Sequence, residues 1–445
     1  MIWTLSTALA YSPPSGMGTP AVGGAFAGPG EDGAAGLVAN PAAAHPATWE
    51  VMLDVGTIFS SLQGELDGVG TYAADSLSQP LPTLAVAVPV GPVGIGVHAS
   101  VPIARSSDYP ATGAQRYHSV EGSFLIFEEA LQLAYQPADW VTLGAGGRAL
   151  QISYEALYAY DGASVLIAFL GSDAGVPIGS DFLEGTQQVD LFGTGLAGSA
   201  GIRLTPAQGP ELALSWRSGA ELRPSGPVAT IPSSDLSVVI DGTLTSTLHV
   251  PQEAWFHALW RLDRLGLSVE LGWVDWSANR WITTETTDLT ISGTDDDLDA
   301  LFTLYGINEP EAVLDGVKEG LSDKGMHDVF SVGVGMRHPV FSERAEVRVA
   351  LTAANAATES AYVHPGNLDF ATLDTRAALL WDALDWLDVG VGTDLYLCPT
   401  RVVEDSILAV DNEPSLGASQ PSGNGTYSLL MLRSGLSLIF RRPPA

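Results

Sequence analysis

Hydrophobic and polar residues alternate with a period of two along most of this chain. In VMLDVGTIFSSL, residues 51–62, the odd-numbered positions are mostly apolar, whereas the even-numbered positions include Asp54, Gly56 and Ser60. This alternation is typical of a β-strand with one apolar face. Similar runs predict about fourteen strands in all, at 51–62, 81–90, 93–104, 123–136, 139–156, 195–205, 210–223, 253–264, 266–279, 328–339, 343–356, 372–382, 387–397 and 427–440.

The connections between these runs are alternately long and short. Short links at Gly91-Pro92, Pro137-Ala138 and 206–209 alternate with long ones such as 105–122 and 157–194, and the alternation continues to the last strand. Outer-membrane barrels have short periplasmic turns, long external loops and an even number of strands. The sequence therefore predicts an all-β fold, a fourteen-stranded antiparallel transmembrane β-barrel formed by residues 51–445.

The tryptophans support this fold. Nine of them lie in or near the predicted strand ends, where the interfacial girdles of a membrane barrel are expected: Trp140, Trp216, Trp255, Trp260, Trp273, Trp276, Trp281, Trp381 and Trp386. The alternative is that they anchor the strands of a soluble core. The last strand ends in Phe440, similar to the C-terminal aromatic signal of outer-membrane barrels, although residues 441–445 follow it.

Composition narrows the functional classes. Charged residues make up only 16% of the chain and hydrophobic residues 46%, with 49 glycines and 28 prolines, which disfavours helices. The formal net charge of −32 would repel nucleic acid. The single cysteine, Cys398, excludes an intrachain disulfide.

The N-terminal segment MIWTLSTALA, residues 1–10, has the form of a truncated signal peptide. It is apolar and ends in Ala8-Leu9-Ala10, the small-residue pattern that precedes signal cleavage. The first basic residue is Arg105, so either the true start lies upstream or the segment is not a signal. No other run approaches the roughly 18 apolar residues of a transmembrane helix, so a membrane role must use strands.

One external loop has helical periodicity and predicts a helical hairpin over about 294–324. Thr294 precedes three aspartates and an apolar stripe, and a second stripe runs from Val313 to Leu321. The apolar face of the hairpin could collect hydrophobic ligands, or it could simply fold the loop down. The sequence leaves both interpretations open.

The sequence offers no clear catalytic, metal or cofactor site. The eight histidines are scattered singly, and the acidic run from Asp295 to Asp299 lacks the glycine and terminal glutamate of a calcium loop. The glycines of 28–33 have only the first spacing of a nucleotide-binding motif, and Pro29 removes a backbone donor. We therefore expect a protein that is not an enzyme and uses no cofactor.

Residues 11–50 contain a compact small-residue segment with a recognisable order of motifs. Gly24-Ala25-Phe26-Ala27-Gly28 is followed by Glu31-Asp32-Gly33-Ala34-Ala35 and then by Asn40-Pro41-Ala42. This order resembles the N-terminal plug, or hatch, of the FadL/TodX-type outer-membrane transporters, which import long-chain fatty acids and aromatic hydrocarbons. Further matches in order are 211–218, 250–255 and 274–277, so the resemblance extends over nearly the whole chain.

The resemblance implies a plug inside the barrel and passive uptake of a hydrophobic ligand, which leaves sideways through the wall. It places Asn40, Pro41 and Ala42 at the lateral opening, unless they only end a plug helix. Gly24, Phe26 and Asp32 would form the plug packing and pocket floor. Arg217 would either contact a ligand carboxylate or serve as a structural charge.

The same resemblance implies a monomer in the bacterial outer membrane. Its partners would be the hydrophobic ligand and outer-membrane lipid, including lipopolysaccharide. Two rivals remain at this point: a structural or adhesive barrel, and a membrane-embedded lipid hydrolase with a serine and a histidine at one strand level.

Overall fold

The computed structural model describes residues 30–74, 78–113, 115–161, 184–231, 237–304, 318–341, 344–407 and 422–442. Its β-strands pair in an antiparallel sheet that closes because the last strand pairs with the first. The strands are β1 (Glu50–Leu66), β2 (Gly70–Ala74), β3 (Ser78–Val90), β4 (Val93–Asp108), β5 (Glu121–Ala138), β6 (Val141–Asp161), β7 (Glu184–Leu204), β8 (Glu211–Arg217), β9 (Ala220–Leu222), β10 (Ser225–Ile231), β11 (Val239–Val250), β12 (Glu253–Leu262), β13 (Leu265–Val274), β14 (Trp281–Ser292), β15 (Lys318–Asp323), β16 (Val329–Val340), β17 (Ala345–Ala354), β18 (Thr372–Leu384), β19 (Leu387–Val403) and β20 (Gly425–Arg441).

Consecutive segments combine into a ring of fourteen strands. β2 with β3, β8 with β9 and β10, β11 with β12, β13 with β14, and β15 with β16 each follow one line of the barrel, because each set pairs with the same neighbouring line. The predicted fourteen-stranded barrel is confirmed.

The two ends of the barrel differ as the connection lengths predicted. Glu50 pairs with Arg441 at one end, and the short turns lie at that same end, which we call the turn end. Gly91 and Asp263 adopt positive φ angles of 62° and 52° in two of these turns, where a chain reverses within two residues. The opposite end carries the long connections and is called the loop end.

The barrel is apolar outside and polar inside. On β1 the outward side chains of Leu53 and Val55 are exposed, whereas the inward carboxylate of Asp54 is buried. Large exposed hydrophobic side chains continue around the wall, as expected for a surface that faces lipid: Leu84, Val97, Leu131, Leu133, Leu143, Phe192, Leu196, Leu214, Leu271, Phe330, Val332, Val334, Leu351, Val391, Leu432 and Leu436.

The predicted tryptophan girdles are only partly correct. Six of the nine tryptophans are exposed on the outer surface: Trp140, Trp216, Trp260, Trp281, Trp381 and Trp386. Trp255 and Trp276 instead pack in a buried cluster with Val274, Met326 and Val329. Trp255 has the inward register of β12 and Trp276 lies in the Trp276–Asn279 turn, which a count of aromatic residues near strand ends does not distinguish.

Several strands extend farther toward the loop end than the alternation predicted. β6 continues to Asp161 and β7 begins at Glu184, in regions that were expected to be loop. Beyond the membrane the outward face no longer needs to be apolar, so the hydrophobic alternation weakens while the backbone pairing continues.

Helices are short. α1 (Gly33–Gly36) and α2 (Asp295–Leu304) are α-helical, and 3₁₀ turns occupy Pro41–Ala44, Trp276–Asn279 and Ser360–Tyr362. Among the described residues, no helix has the length and apolarity to cross a membrane.

The prediction of an external helical hairpin is only partly correct. α2 begins where Thr294 accepts a hydrogen bond from the N–H of Asp297, as its capping pattern predicted. Residues 305–317 lie outside the described residues. The second helix does not reach Leu321, because residues 318–323 pair with β14 as strand β15.

Candidate functional site

The described part of the plug, residues 30–49, lies inside the barrel near the turn end. Its helix α1 contacts β1 and β3, and the Pro41–Ala44 turn contacts β3 to β7. The Asp32 carboxylate caps α1 through the N–H of Gly33 at 2.9 Å, and the Glu50 carboxylate accepts from the N–H of Ala34 at 2.9 Å. The plug backbone is therefore held by side-chain caps at its first helical turn.

Two acidic plug residues form ion pairs with arginines of the barrel wall. Glu31 lies 3.3 Å from Arg348 and 3.8 Å from Arg337, and Asp32 lies 2.5 Å from Arg203. Burial opposes ionisation of Glu31, but the guanidinium groups of Arg348, Arg337 and Arg203 hold its pKa below the usual value. For Asp32 burial prevails and raises the pKa.

The wall beneath the plug is made of small residues. Ala34, Ala35, Leu37 and Ala44 of the plug pack against wall residues that include Ala85. Wall glycines allow this close approach, because a side chain there would collide with the plug backbone or its side chains: Gly94, Gly96, Gly144 and Gly201. The Gln132 side chain donates to the carbonyl of Leu37 at 2.9 Å.

The predicted Asn40-Pro41-Ala42 element forms a capped 3₁₀ turn against this wall. The Asn40 side-chain oxygen accepts from the N–H of Ala42 at 2.9 Å, and Pro41 occupies the first helical position. All three residues are fully buried or nearly so. Gly24 and Phe26, proposed for the pocket floor, lie outside the described residues.

Arg217 belongs to a layer of ion pairs in the lumen just above the plug. Its guanidinium donates to Glu128 at 2.5 Å and to Glu253 at 2.7 Å. Glu128 also accepts from Arg148 at 2.6 Å and lies 3.0 Å from His98. Arg217 thus already has two carboxylate partners. Glu128 and Arg148 were not predicted from the sequence, although both are charges at inward positions of alternating strands and could have been found by that signal.

An apolar lining begins immediately above this ion-pair layer. Along β5, Glu128 is followed toward the loop end by Ile126 and Phe124, and along β6 Arg148 is followed by Leu150 and Ile152. These side chains form one buried cluster, which also contains Tyr154, Ala156, Tyr158, Val189, Leu191, Ala220, Leu222, Val228, Leu244, Leu248 and Ile282. The lumen therefore has three levels: plug, ion pairs and apolar lining.

Ion pairs also line the opposite wall. Arg376 pairs with Asp374, Arg433 lies 3.3 Å from Asp394, and all four side chains are almost fully buried. A straight path along the barrel axis from the apolar lining to the turn end would pass between charged walls and then meet the plug.

The barrel wall is split between β3 and β4. The two strands pair from Val90 with Val93 up to Thr83 with Ser100, and no further. Above this point β3 pairs only with β1, and β4 only with β5. The register between β4 and β5 shifts across Val101-Pro102, where two residues of β4 face one of β5. This is a β-bulge, and such bulges bend a strand.

The part of β5 beside the bulge contacts the lumen with side chains of both faces. Leu125 and Phe127 share the outward parity of Leu131, yet they pack on a cluster containing the lumen-facing Tyr396 and Met431. The alternation of residues predicted an uninterrupted strand over 93–104, without this bulge. Pro102 was the available signal, since proline inside a strand marks an edge or a bulge.

A cavity of about 590 Å³ opens on the outer surface next to the split. Its lining comes from β3 to β7 and is mainly apolar or small: Leu84, Val86, Val97, His98, Ala99, Glu129, Ala130, Leu131, Gly147, Arg148, Ala149, Leu196 and Ala197. The lining includes outward residues and also His98 and Arg148 of the ion-pair layer. The cavity therefore lies outside the wall at the height where the split begins.

An external segment packs at the loop end of β1, β2, β19 and β20. Residues 363–370 are buried without interruption, and Val363, Leu368 and Phe370 pack against Tyr72 and Tyr109 among others. The Asp369 carboxylate accepts from the N–H of Thr358 at 2.8 Å and also from that of Ala357.

No family model and no curated protein matches this sequence. Solved structures do match over nearly the whole chain. A FadL homologue from Pseudomonas aeruginosa has 14% identity and a TM-score of 0.74, covering 97% of this chain and 99% of its own. The Pseudomonas putida toluene transporter TodX has 11% identity and a TM-score of 0.69, covering 97% and 100%. The Ralstonia pickettii toluene transporter TbuX has 13% identity and a TM-score of 0.62, covering 95% and 98%.

These likenesses agree with the resemblance inferred from the plug and strand motifs. At 11% to 14% identity they establish the architecture and leave the ligand open. The chain has the plugged, fourteen-stranded barrel fold of the FadL and TodX transporters.

Proposed function

We propose that this protein is an outer-membrane channel for passive uptake of hydrophobic small molecules, such as long-chain fatty acids or aromatic hydrocarbons. The ligand enters from the loop end, occupies the apolar lining and leaves sideways through the split between β3 and β4. The observation that carries this proposal is the position of the split, which begins level with the ion-pair layer at Ser100 and Glu128.

The energetics favour the sideways route. An apolar molecule gains about 0.8 kcal/mol for each CH₂ group removed from water, so it is stable against the lining and in the lipid outside. The axial route would bring the same molecule against buried ion pairs, which it cannot hydrogen-bond. A gap that joins the lining directly to lipid avoids both the charged layer and water.

The plug lies directly below this proposed route. Asn40, Pro41 and Ala42 pack below the ion-pair layer on the wall of β4 to β7, the strands that carry the bulge and most of the outer cavity. We propose that they support the lateral opening by fixing the position of this bent wall. The names of the matched toluene transporters support a hydrophobic ligand for this fold.

Blocking the outer cavity tests the proposed route. A149W places an indole in the cavity lining, and we expect it to reduce uptake of naphthalene into proteoliposomes while the barrel remains heat-modifiable on gels. A145W is the matched control, because Ala145 faces outward on the same strand but does not line the cavity. Equal uptake by wild type and A149W would contradict lateral exit, and absence of uptake by the wild type would contradict the transport function.

Removing the plug tests its part separately. Deletion of residues 23–42 should change the uptake of fatty acid or hydrocarbon in barrels that still assemble. Unchanged uptake would exclude a transport role for the plug, and lipid hydrolysis by the purified protein would favour an enzyme instead.

A further inference from the structure

Glu129 is a carboxylate on the membrane-facing side of the wall. It shares the outward face of β5 with Leu131 and Leu133, which are exposed and apolar, and it lies near the middle of that strand. Its side chain is exposed and lines the outer cavity beside the wall split.

The Glu129 carboxylate forms no ion pair within the described part of the chain, and Arg148, which lines the same cavity, is paired with Glu128. The residues opposite Glu129 on the two neighbouring strands are Ala99 and Ala149, which offer no cation. None of the salt bridges among the described residues includes it. An ionisable side chain that faces lipid is destabilising, so its presence at such a position points to a function.

We propose that Glu129 determines the specificity of the lateral opening, rejecting anionic amphiphiles and passing uncharged hydrophobic molecules. This inference rests on the proposed function, because it assigns the ligand class of that same exit. A departing carboxylate head group would meet a like charge in a low-dielectric surround, where repulsion is strong. An uncharged hydrocarbon meets only the apolar part of the cavity.

Among the described residues, the charged side chains of the lumen also offer no unpaired partner to an anionic ligand at the height of the exit. The two arginines of the layer next to the exit, Arg148 and Arg217, are matched by the carboxylates of Glu128 and Glu253. A ligand anion at this height would therefore add an unbalanced negative charge. Arg105 lies farther toward the loop end, beside Tyr154, so it does not balance the charge of an anion at the height of Glu129.

The net charge of the protein also disfavours anionic ligands. The chain carries 51 acidic and 19 basic residues. Such an excess lowers the local concentration of anionic ligands around the protein and leaves that of neutral ligands unchanged.

The test compares naphthalene with oleate at pH 8 in proteoliposomes of a neutral lipid. Wild type should take up naphthalene and little oleate, and E129Q should raise oleate uptake about tenfold, the order expected when one nearby like charge is removed. Naphthalene uptake should stay the same. E129L provides a second neutral variant should the amide alter assembly.

E155Q is the matched control, because Glu155 also faces outward but lies toward the loop end of β6, outside the cavity lining. It should leave both uptakes unchanged. An unaltered ratio of oleate to naphthalene in both E129Q and E129L would overturn the inference while the transport function stands. Uptake of neither compound by the wild type would overturn the transport function and this inference with it.

Discussion

The carboxylate of Glu31 and the guanidinium of Arg348 lie 3.3 Å apart although 317 residues separate them in the chain. Glu31 belongs to the plug, and Arg348 belongs to β17 on the wall opposite the plug's small-residue contacts. The plug is therefore packed on one side and ion-paired across the lumen on the other.

Removing this carboxylate should loosen the plug. E31Q leaves Arg348 and Arg337 with less compensation in a buried site, and breaking a buried ion pair costs about 3–5 kcal/mol. We expect a larger and noisier ion conductance in planar bilayers at pH 7. E121Q, an exposed acid at the loop end of β5, should keep the low conductance of the wild type. Indistinguishable traces for E31Q and wild type would refute the anchoring role.

The side chain of Asn40 should stabilise the Pro41–Ala44 turn by capping it. N40A removes the oxygen that accepts from the N–H of Ala42, and loss of such a cap costs about 1 kcal/mol. The free energy of local opening, measured from hydrogen exchange of the Ala42 amide, should fall by about that amount. N40S keeps a capping oxygen and should retain most of the protection. Equal losses in N40A and N40S would show that the cap is not the cause.

The bulge at Val101-Pro102 should be necessary for the wall split. Deleting Pro102 removes the extra residue of β4, so β4 can continue alongside β3 and close the gap. Naphthalene uptake should then fall to the level of protein-free liposomes. P102A keeps the residue count and should keep uptake. A deletion variant that transports normally would place the exit elsewhere.

The external segment 363–370 should respond to pH through two opposing groups. Burial raises the pKa of Asp369 from 3.8 to about 7, so its stabilising contribution is complete below pH 3.8 and is lost as pH rises through about 7. Burial and the neighbouring His118 and Lys324 lower the pKa of His364 well below 6.5, so stability is lost as pH falls below 6.5.

Single substitutions should separate these two effects. In D369N the protection of the segment against hydrogen exchange, corrected for intrinsic rates, should decrease as pH falls below 6.5. In H364N protection should decrease as pH rises from 4 toward 7. The protection of the segment should therefore change with pH in opposite directions in the two variants. Parallel profiles would show that other groups control the segment.

The alternating residues of β1 and the unequal connections were sufficient to predict the barrel, because a lipid-facing wall requires one apolar residue in every two. The capping pattern at Thr294 was sufficient to predict where α2 begins. Leu321 was misassigned because its helical spacing competes with pairing to β14, and that pairing depends on a distant strand. Trp255 was misplaced because the register that turns it inward is set by the neighbouring strands, and Trp276 because it lies in a 3₁₀ turn that packs against Met326 and Val329.

The sequence by itself determined the barrel and the order of its strands, since these follow from local periodicity and turn chemistry, and the plug was expected from the resemblance to the FadL/TodX-type transporters. Tertiary structure decided which charges meet: Glu31 with Arg348, Arg217 with Glu128, and Glu129 with none of the described residues. It also decided that β3 and β4 separate at Ser100. The ion pairs and the split both depend on residues that are far apart in the chain. The distances between these residues are fixed only when the ring of strands closes.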